Sequence, residues 1–309
     1  MNVLITGSSG QIGTNLALVL LERGDGVVGI DNRANTWTDR FETVILDLVC
    51  AKADAFPDAK QFDVVVHLAA NAKVYELVEH PQKAMDNVLM LFGALEYCRI
   101  NALPLVFSSS REVYGDIHRH VTDEDAADFV VAESPYSASK IAGEAFIYSY
   151  TQCYNLPFLV FRFSNVYGRY DNDIERLERV IPLFIERIDR GQSITVYGKE
   201  KVLDFTYIDD CITGVLAGID ALVSRRVVGQ TINLAYGLGN SLGDVVNIIS
   251  LALRKEPKAT YLPSRTGEVT RYVADIAKAR SLLGYNPQVP LSSGLIRAVE
   301  WWRSTRKSG

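Results

Sequence analysis

Short apolar runs alternate with longer stretches of helical period through the first half of the chain. Val3-Leu4-Ile5, Val27-Val28-Gly29-Ile30, Thr43 to Leu48, Val64 to Ala70, Leu105 to Ser110 and Phe158 to Phe163 read as strands. Between them, a first helix runs through Asn15 to Leu21 and stops at Gly24, and longer helices cover Pro81 to Asn101 and Tyr136 to Tyr154. The strands carry no alternating polar face. Such strands are buried on both sides, so the pattern predicts an α/β protein with a parallel sheet between two layers of helix. Beyond Phe163 the rhythm loosens. Asp171 to Arg179 reads as a charged loop and Val180 to Arg190 as a helix. Ile194 to Tyr197 and Asp204 to Ile208 read as strands, and Asp209-Asp210 opens a helix. Further helices are expected near 242–253, 276–283 and 291–303. The expected division is residues 1–165 plus about 203–232 as a dinucleotide-binding domain. A smaller, discontinuous substrate domain takes about 166–202 plus 233–309.

The first strand breaks into Gly7, Gly10 and Gly13 and then enters the first helix. A helix N-terminus carries unpaired N–H groups and partial positive charge, and glycines let a pyrophosphate approach them. Asp31 ends the second strand, where its carboxylate would accept hydrogen bonds from an adenosine ribose and repel a 2′-phosphate. Together these predict a Rossmann-type, doubly wound sheet that binds NAD rather than NADP, with Arg33 nearby as the counter-signal. Ligands of such sheets lie at the carboxyl ends of the strands. Gly7, Asp31, Asp47, Ala69 and Ser110 all fall there.

Composition narrows the function classes. The 309 residues are 48% hydrophobic and 22% charged, with a formal charge of -5, which argues against nucleic acid as the main partner. Cys50, Cys98, Cys153 and Cys211 lack CxxC spacing and read as buried thiols of a reducing compartment rather than as disulfides or metal ligands. No apolar run reaches ~18 residues, so no membrane span is expected, and the immediate first strand leaves no room for a signal peptide. A cytoplasmic protein is the expectation. His118 and His120 form a His-x-His pair without further ligands nearby in sequence, so no metal is expected. Trp301-Trp302 reads as packing of the last helix.

Tyr136 and Lys140 lie four residues apart, on one face of a helix. An ammonium beside a phenol favours phenolate, which predicts a tyrosine base with its pKa drawn toward neutrality. Ser110, ending a neighbouring strand, could bond the same substrate oxygen.

These residues resemble a family, the extended short-chain dehydrogenases/reductases that modify nucleotide sugars. The matching pieces are Thr6 to Gly13, His67 to Ala70, Asn87, Ser108 to Ser110, Val113-Tyr114-Gly115, Ser134-Pro135-Tyr136 through Lys140, and Arg162 to Gly168. They cover essentially the whole chain. The resemblance implies tightly held NAD, with Tyr136 removing the proton of the sugar 4-hydroxyl as hydride leaves C4. Lys140 would also bond the nicotinamide ribose. It implies a cofactor site of Gly7, Gly10, Gln11, Ile12, Gly13, Asp31, Asn32, Asp47, Leu48, Leu68, Ala69, Ala70, Asn87, Ser108, Tyr136 and Lys140. Asn165 would contact the substrate diphosphate. Arg265 would meet the phosphates and Glu268 the nucleoside ribose, with Ser110, Arg111 and Tyr136 facing the sugar. Lys73 reads as facing the sugar pocket or as a solvated loop charge. The helices around 87–101 and 136–154 match a pair that forms a four-helix bundle in homodimers of relatives.

Two positions depart from the family pattern. Leu203 stands where many relatives carry an arginine, so that phosphate contact is lost or supplied by Lys199, Lys201 or Arg265. Arg111-Glu112 follows Ser110, where 4,6-dehydratases carry Asp-Glu and UDP-glucuronate decarboxylases Ser-Glu. Glu112 fits a catalytic base at C5 or a decarboxylase residue, whereas Arg111 stays protonated and cannot be the acid. Arg111 could pair with Glu112, or bind a uronate carboxylate or a phosphate. The resemblance therefore implies an NAD-dependent 4-epimerase of a UDP-hexose or a relative. A dehydratase or decarboxylase using Glu112 is the alternative, and a non-catalytic NAD-binding regulatory protein the more distant one.

Overall fold

The structure, a computed structural model, describes residues 1–114, 132–171, 179–265 and 269–306. Seven strands form the central sheet in the order β10-β6-β5-β4-β1-β2-β3. They are β1 (Asn2–Thr6), β2 (Gly26–Asp31), β3 (Glu42–Ile45), β4 (Val64–His67), β5 (Leu105–Ser110), β6 (Phe158–Phe163) and β10 (Gln230–Leu234). Every neighbouring pair is parallel. Residue alternation sends side chains to two cores. Val3, Ile5, Val64 and Val66 pack on one face with Leu16 and Leu20, and Leu4, Val65, Leu105 and Phe107 on the other with Leu91 and Leu95.

The first-face helices are α1 (Gln11–Arg23) and α6 (Ile208–Val223). Helices α3 (Gln82–Asn101) and α4 (Pro135–Tyr154) cover the second face. Local sequence sets their ends. Gly24 stops α1 with φ +91 and donates to the Leu21 carbonyl at 3.0 Å. A capping box starts α4: Ser137 N donates to Ser134 Oγ at 3.2 Å, and Ser134 N donates to Ser137 Oγ at 3.0 Å. With Pro135 in the first turn, this fixes the level at which Tyr136 leaves the helix.

The remaining elements build a smaller layer over the carboxyl ends of the strands. Strand β9 (Val202–Tyr207) pairs with β7 (Asn165–Tyr167), β11 (Gly239–Ser241) and β13 (Arg271–Tyr272). Strand β8 (Ser193–Tyr197) pairs with β12 (Lys258–Leu262). Around them lie α5 (Val180–Asp189), α7 (Leu242–Leu253), α8 (Ala277–Leu283) and α9 (Leu291–Arg306).

Two differences from the sequence reading have local causes. The third strand ends at Ile45 rather than Leu48, because the Asp47 side chain accepts Val49 N at 3.0 Å and turns the chain out of the sheet. Strand β10 is hidden in the sequence because Asn233 interrupts its apolar run. That amide is buried, accepting Tyr114 Oη–H at 2.8 Å and donating to the Asp275 carbonyl at 3.1 Å. The short helix α2 (Val74–Glu79) is a further addition. No helix among the described residues is long and apolar enough to cross a membrane.

Candidate active site

A cleft of about 600 Å³ runs along the carboxyl ends of β1, β2, β4 and β5 and under β9. One end is the glycine loop. Gly7 has φ +73, and a Cβ there would stand 2.7 Å from Ala69 N. A Cβ on Gly13 would stand 2.4 Å from the Gly7 carbonyl oxygen. Only glycine fits either position. Gly10 caps α1 without a side-chain hydrogen bond, so the first-turn amides at Gln11, Ile12 and Gly13 are not covered by a cap. At the edge of this loop Asp31 accepts Ser9 N at 3.0 Å and Arg33 N at 3.3 Å. A bare helix N-terminus, a cradle without Cβ atoms and a carboxylate at the next strand end together fit a dinucleotide.

Tyr136, Lys140 and Ser110 line the middle of the cleft. Burial pushes the Tyr136 phenol up to about 12, against a hydrogen bond with Ser110 that lowers it. Burial likewise draws Lys140 down to about 8, while Glu144 opposes the shift. The Lys140 ammonium donates to the Ser108 carbonyl at 2.8 Å and lies 5.7 Å from the centre of the Tyr136 ring. The expected phenolate is therefore not produced by the chain alone: desolvation outweighs the Ser110 hydrogen bond and the Arg179 and Arg111 charges that oppose it, and the phenol keeps its proton near neutral pH. Under the site, Thr6 Oγ1 and His67 Nδ1 share a hydrogen bond of 2.8 Å, and burial with the Lys140 charge keeps the imidazole neutral.

Arg111 and Glu112 also line the cleft, paired at 2.9 Å between Nη2 and Oε1. The same Nη2 donates to Asn165 Oδ1 at 3.3 Å, and the guanidinium lies over the Tyr272 ring. Arg111 Nη1 and Glu112 Oε2 are buried without a hydrogen-bond partner among the described residues. Behind them Asp204 is fully buried and accepts Tyr236 N, Gly237 N and Ala274 N at 3.0, 2.9 and 3.4 Å. Burial still lifts its carboxyl to about 7.

Most of the expected residues share this one cleft: Gly7, Gly10, Gln11, Ile12, Gly13, Asp31, Asn32, Asp47, Leu48, Leu68, Ala69, Ala70, Ser108, Ser110, Arg111, Glu112, Tyr136, Lys140 and Asn165. Asn87 is not in the lining. Its amide accepts Asn71 N at 2.7 Å and donates to the Asn71 carbonyl and Ser139 Oγ, so it holds the loop after β4. Lys73 caps α2 outside the lining. Arg265 also lies outside it, with its guanidinium 3.9 Å from the centre of the Tyr197 ring and 4.9 Å from that of Tyr75. Glu268, His118 and His120 fall outside the described residues. No cluster of metal-ligating side chains occurs among the described residues.

Sequence reasoning did not find Arg179. It lines the cleft, donating to Gln11 Oε1 at 2.6 Å and Asp171 Oδ1 at 3.1 Å. Nothing in a charged loop distinguished it from its neighbours. Lys201, one of the residues expected to replace the missing phosphate contact, immediately precedes β9 and lines the cleft together with Leu203 and Phe205 of that strand.

A family model described as "NAD dependent epimerase/dehydratase family" matches residues 3–235. UDP-glucuronate 4-epimerase 1 of Arabidopsis thaliana is 32% identical, over 98% of this chain and 77% of its own length. The UDP-glucose 4-epimerase of Thermotoga maritima, solved with UDP-glucose, superposes with a TM-score of 0.90 at 27% identity, covering 99% of this chain and 100% of its own. The UDP-glucuronic acid 4-epimerase of Bacillus cereus, solved with UDP-glucuronic acid and NAD, gives a TM-score of 0.89 at 28% identity with the same coverage.

Proposed function

The chain belongs to the NAD dependent epimerase/dehydratase family, and on that premise we propose that it is a UDP-sugar 4-epimerase working through a transient 4-keto intermediate. The observation that carries this reading is the meeting of Tyr136, Ser110 and Lys140 in the cleft that begins at the glycine loop. Tyr136 takes the proton of the sugar 4-hydroxyl as the C4–H pair departs as hydride, and the C4–O bond becomes a carbonyl. Ser110 orients that oxygen. Lys140, held on the Ser108 carbonyl, keeps positive charge beside the phenol. NAD, when bound, supplies the hydride acceptor and later donor, together with a cationic ring that favours phenolate. The keto sugar turns over in the cleft, C4 regains hydride on its other face, and Tyr136 returns the proton. Product and substrate are isomers, and no net oxidation occurs.

In this reading Gly7, Gly10, Gln11, Ile12 and Gly13 hold the pyrophosphate, Asp31 and Asn32 the adenosine ribose, and Asp47 and Leu48 border the adenine. Leu68, Ala69, Ala70 and Ser108 lie along the nicotinamide half. Asn165 and Arg111 face the substrate. The expected division shifts at two edges, because β9 pairs within the smaller layer and β10 completes the central sheet: residues 1–165 with about 208–234 form the NAD domain, and about 166–207 with 235–309 the nucleotide-sugar domain. Glu112 is ion-paired with Arg111 through Oε1 only, and Oε2 has no partner among the described residues, so the products of the nucleotide-sugar assay below decide between epimerisation and loss of water or carbon dioxide.

The enzyme works as a homodimer through a four-helix bundle. On α3, Met85, Leu89, Phe92 and Ile100 fall on one helical stripe and are 43% to 60% exposed. On α4, Phe146 and Tyr154 are exposed as well, and the Phe146 ring meets that of Phe92. A second copy of the same helix pair would cover this surface. We place the enzyme in the cytoplasm, a reading supported by its four free thiols, of which Cys98 and Cys211 are buried as expected while Cys50 and Cys153 are exposed instead.

Incubation of the purified protein with UDP-glucose, UDP-N-acetylglucosamine and UDP-glucuronate, followed by proton NMR, tests the assignment. Inversion at C4 is expected for at least one of them. No change at C4 in any nucleotide sugar overturns the assignment, and release of water or carbon dioxide transfers it to a lyase using Glu112.

A further inference from the structure

Three aromatic rings from distant parts of the chain meet beside the cofactor end of the cleft. The Trp37 ring centre lies 5.5 Å from those of Tyr170 and Trp301, and the latter two are 5.7 Å apart. Trp37 and Tyr170 belong to segments that border or brace the glycine loop, and Trp301 to the last helix. Trp37 lies midway along the loop from β2 to β3, and Asp31 at the end of β2 and Asn32 and Arg33 at the start of that loop line the cleft. That loop is stitched to the glycine loop by Asn35, which donates to the Ser8 carbonyl at 3.3 Å and Thr14 Oγ1 at 2.9 Å and accepts Trp37 N at 2.9 Å.

Tyr170 stands at the opposite border. It has φ +60, a conformation L side chains rarely adopt, and is held there between the indoles. Its neighbour Asp171 lines the cleft and holds Arg179, which reaches Gln11. The carbonyl of Arg169 accepts Asn15 Nδ2 at 3.2 Å on the same helix. Trp301 projects from α9 onto both rings, while its neighbour Trp302 is buried in the core.

We propose that Trp37, Tyr170 and Trp301 form a clasp that keeps the dinucleotide resident between the two hydride transfers. The inference rests on the reading that the cleft holds NAD and that its hydride is returned. An enzyme that recovers its own hydride fails whenever the reduced carrier escapes and leaves a keto sugar behind. The two segments flanking the glycine loop are those that must part for a dinucleotide to leave. Trp37 and Tyr170 pin them to each other, and Trp301 pins both to the last helix. These are positioning residues, with no contact to the reacting atoms required.

The test compares wild type with Trp37→Ala, Trp301→Ala and Trp37→Phe. The readouts are nicotinamide content per chain after gel filtration and the exchange rate of bound NAD against radiolabelled NAD. Loss of two aromatic contacts predicts exchange about tenfold faster in both alanine variants. Trp37→Phe keeps a ring and stays near the wild-type rate. Released NADH and keto sugar accumulate for the alanine variants at low NAD, and saturating NAD restores turnover. Melting temperatures measured with saturating NAD separate this from general loosening. Should Trp37→Ala not fold, Trp301→Leu carries the same comparison. Wild-type exchange rates in the folded variants overturn the clasp alone. A wild-type protein that neither contains nor binds nicotinamide overturns the clasp and the NAD reading together.

Discussion

The ammonium of Lys140 donates to the backbone carbonyl of Ser108 at 2.8 Å, which sets it 5.7 Å from the centre of the Tyr136 ring. A charge in a dry site must be fully solvated by protein or shift its pKa, and this one has done both in part. The lysine is drawn down to about 8 and the tyrosine driven up to about 12.

Lys140→Met should be inactive, and its stability relative to wild type should depend on pH. The folded-state pKa of Lys140 lies below the unfolded value of 10.5. Its burial cost is therefore fully present below about pH 8 and is relieved as pH rises toward 10.5. The stability difference between methionine variant and wild type should shrink by about 3 kcal/mol across that window. Urea unfolding at pH 7 and near pH 10 measures it. A constant difference removes the buried charge from the account.

Tyr136→Phe should lower kcat by about 10²–10⁴ while nucleotide-sugar affinity stays within a few fold, since only the proton acceptor is removed. In wild type freed of cofactor, difference absorbance against this variant should show no phenolate from Tyr136 through about pH 10, because burial holds the phenol near 12. Loading with NAD should move that ionisation downward.

Glu112→Gln should retain C4 inversion and yield no dehydrated or decarboxylated sugar by proton NMR. It should also destabilise the fold by about 1–3 kcal/mol, because the buried Arg111 guanidinium loses its countercharge. Replacing both residues with apolar ones should recover much of that loss. Full stability of the single variant would mean the pair contributes nothing.

Leu89→Glu or Phe92→Glu places a carboxylate in the centre of the exposed stripe on α3. Either should shift sedimentation at micromolar concentration from dimer to monomer with the fold intact by circular dichroism. A sedimentation profile identical to wild type would rule this face out as the contact.

The sheet was legible because its strands are apolar on both faces, and the glycine loop because glycines, strand and helix occur in one fixed order. Ser110, Tyr136 and Lys140 group in the sequence itself, since strand ends and an i, i+4 spacing are properties of the chain. What the chain could not reveal depends on distance across the fold. Arg179 is chosen from a charged loop by its partner Gln11, 168 residues away. The neutral Tyr136 follows from burial, which a sequence does not display. Asn233 reads as a strand breaker until Tyr114 and Asp275 are seen to satisfy it.

Pairing of Gln230–Leu234 with Phe158–Phe163 also constrains how the protein is made. A ribosome delivers Phe158–Phe163 long before the strand that will cover its outer edge. Until residue 234 emerges, the nascent chain carries an unpaired strand edge, apolar in its side chains but for Arg162, of the kind that recruits other strands. The intervening segment must form β7 to β9 and α6 while that edge waits. Fragments ending near residue 165 should therefore aggregate during expression, and a chaperone would be expected to engage the growing chain in this interval.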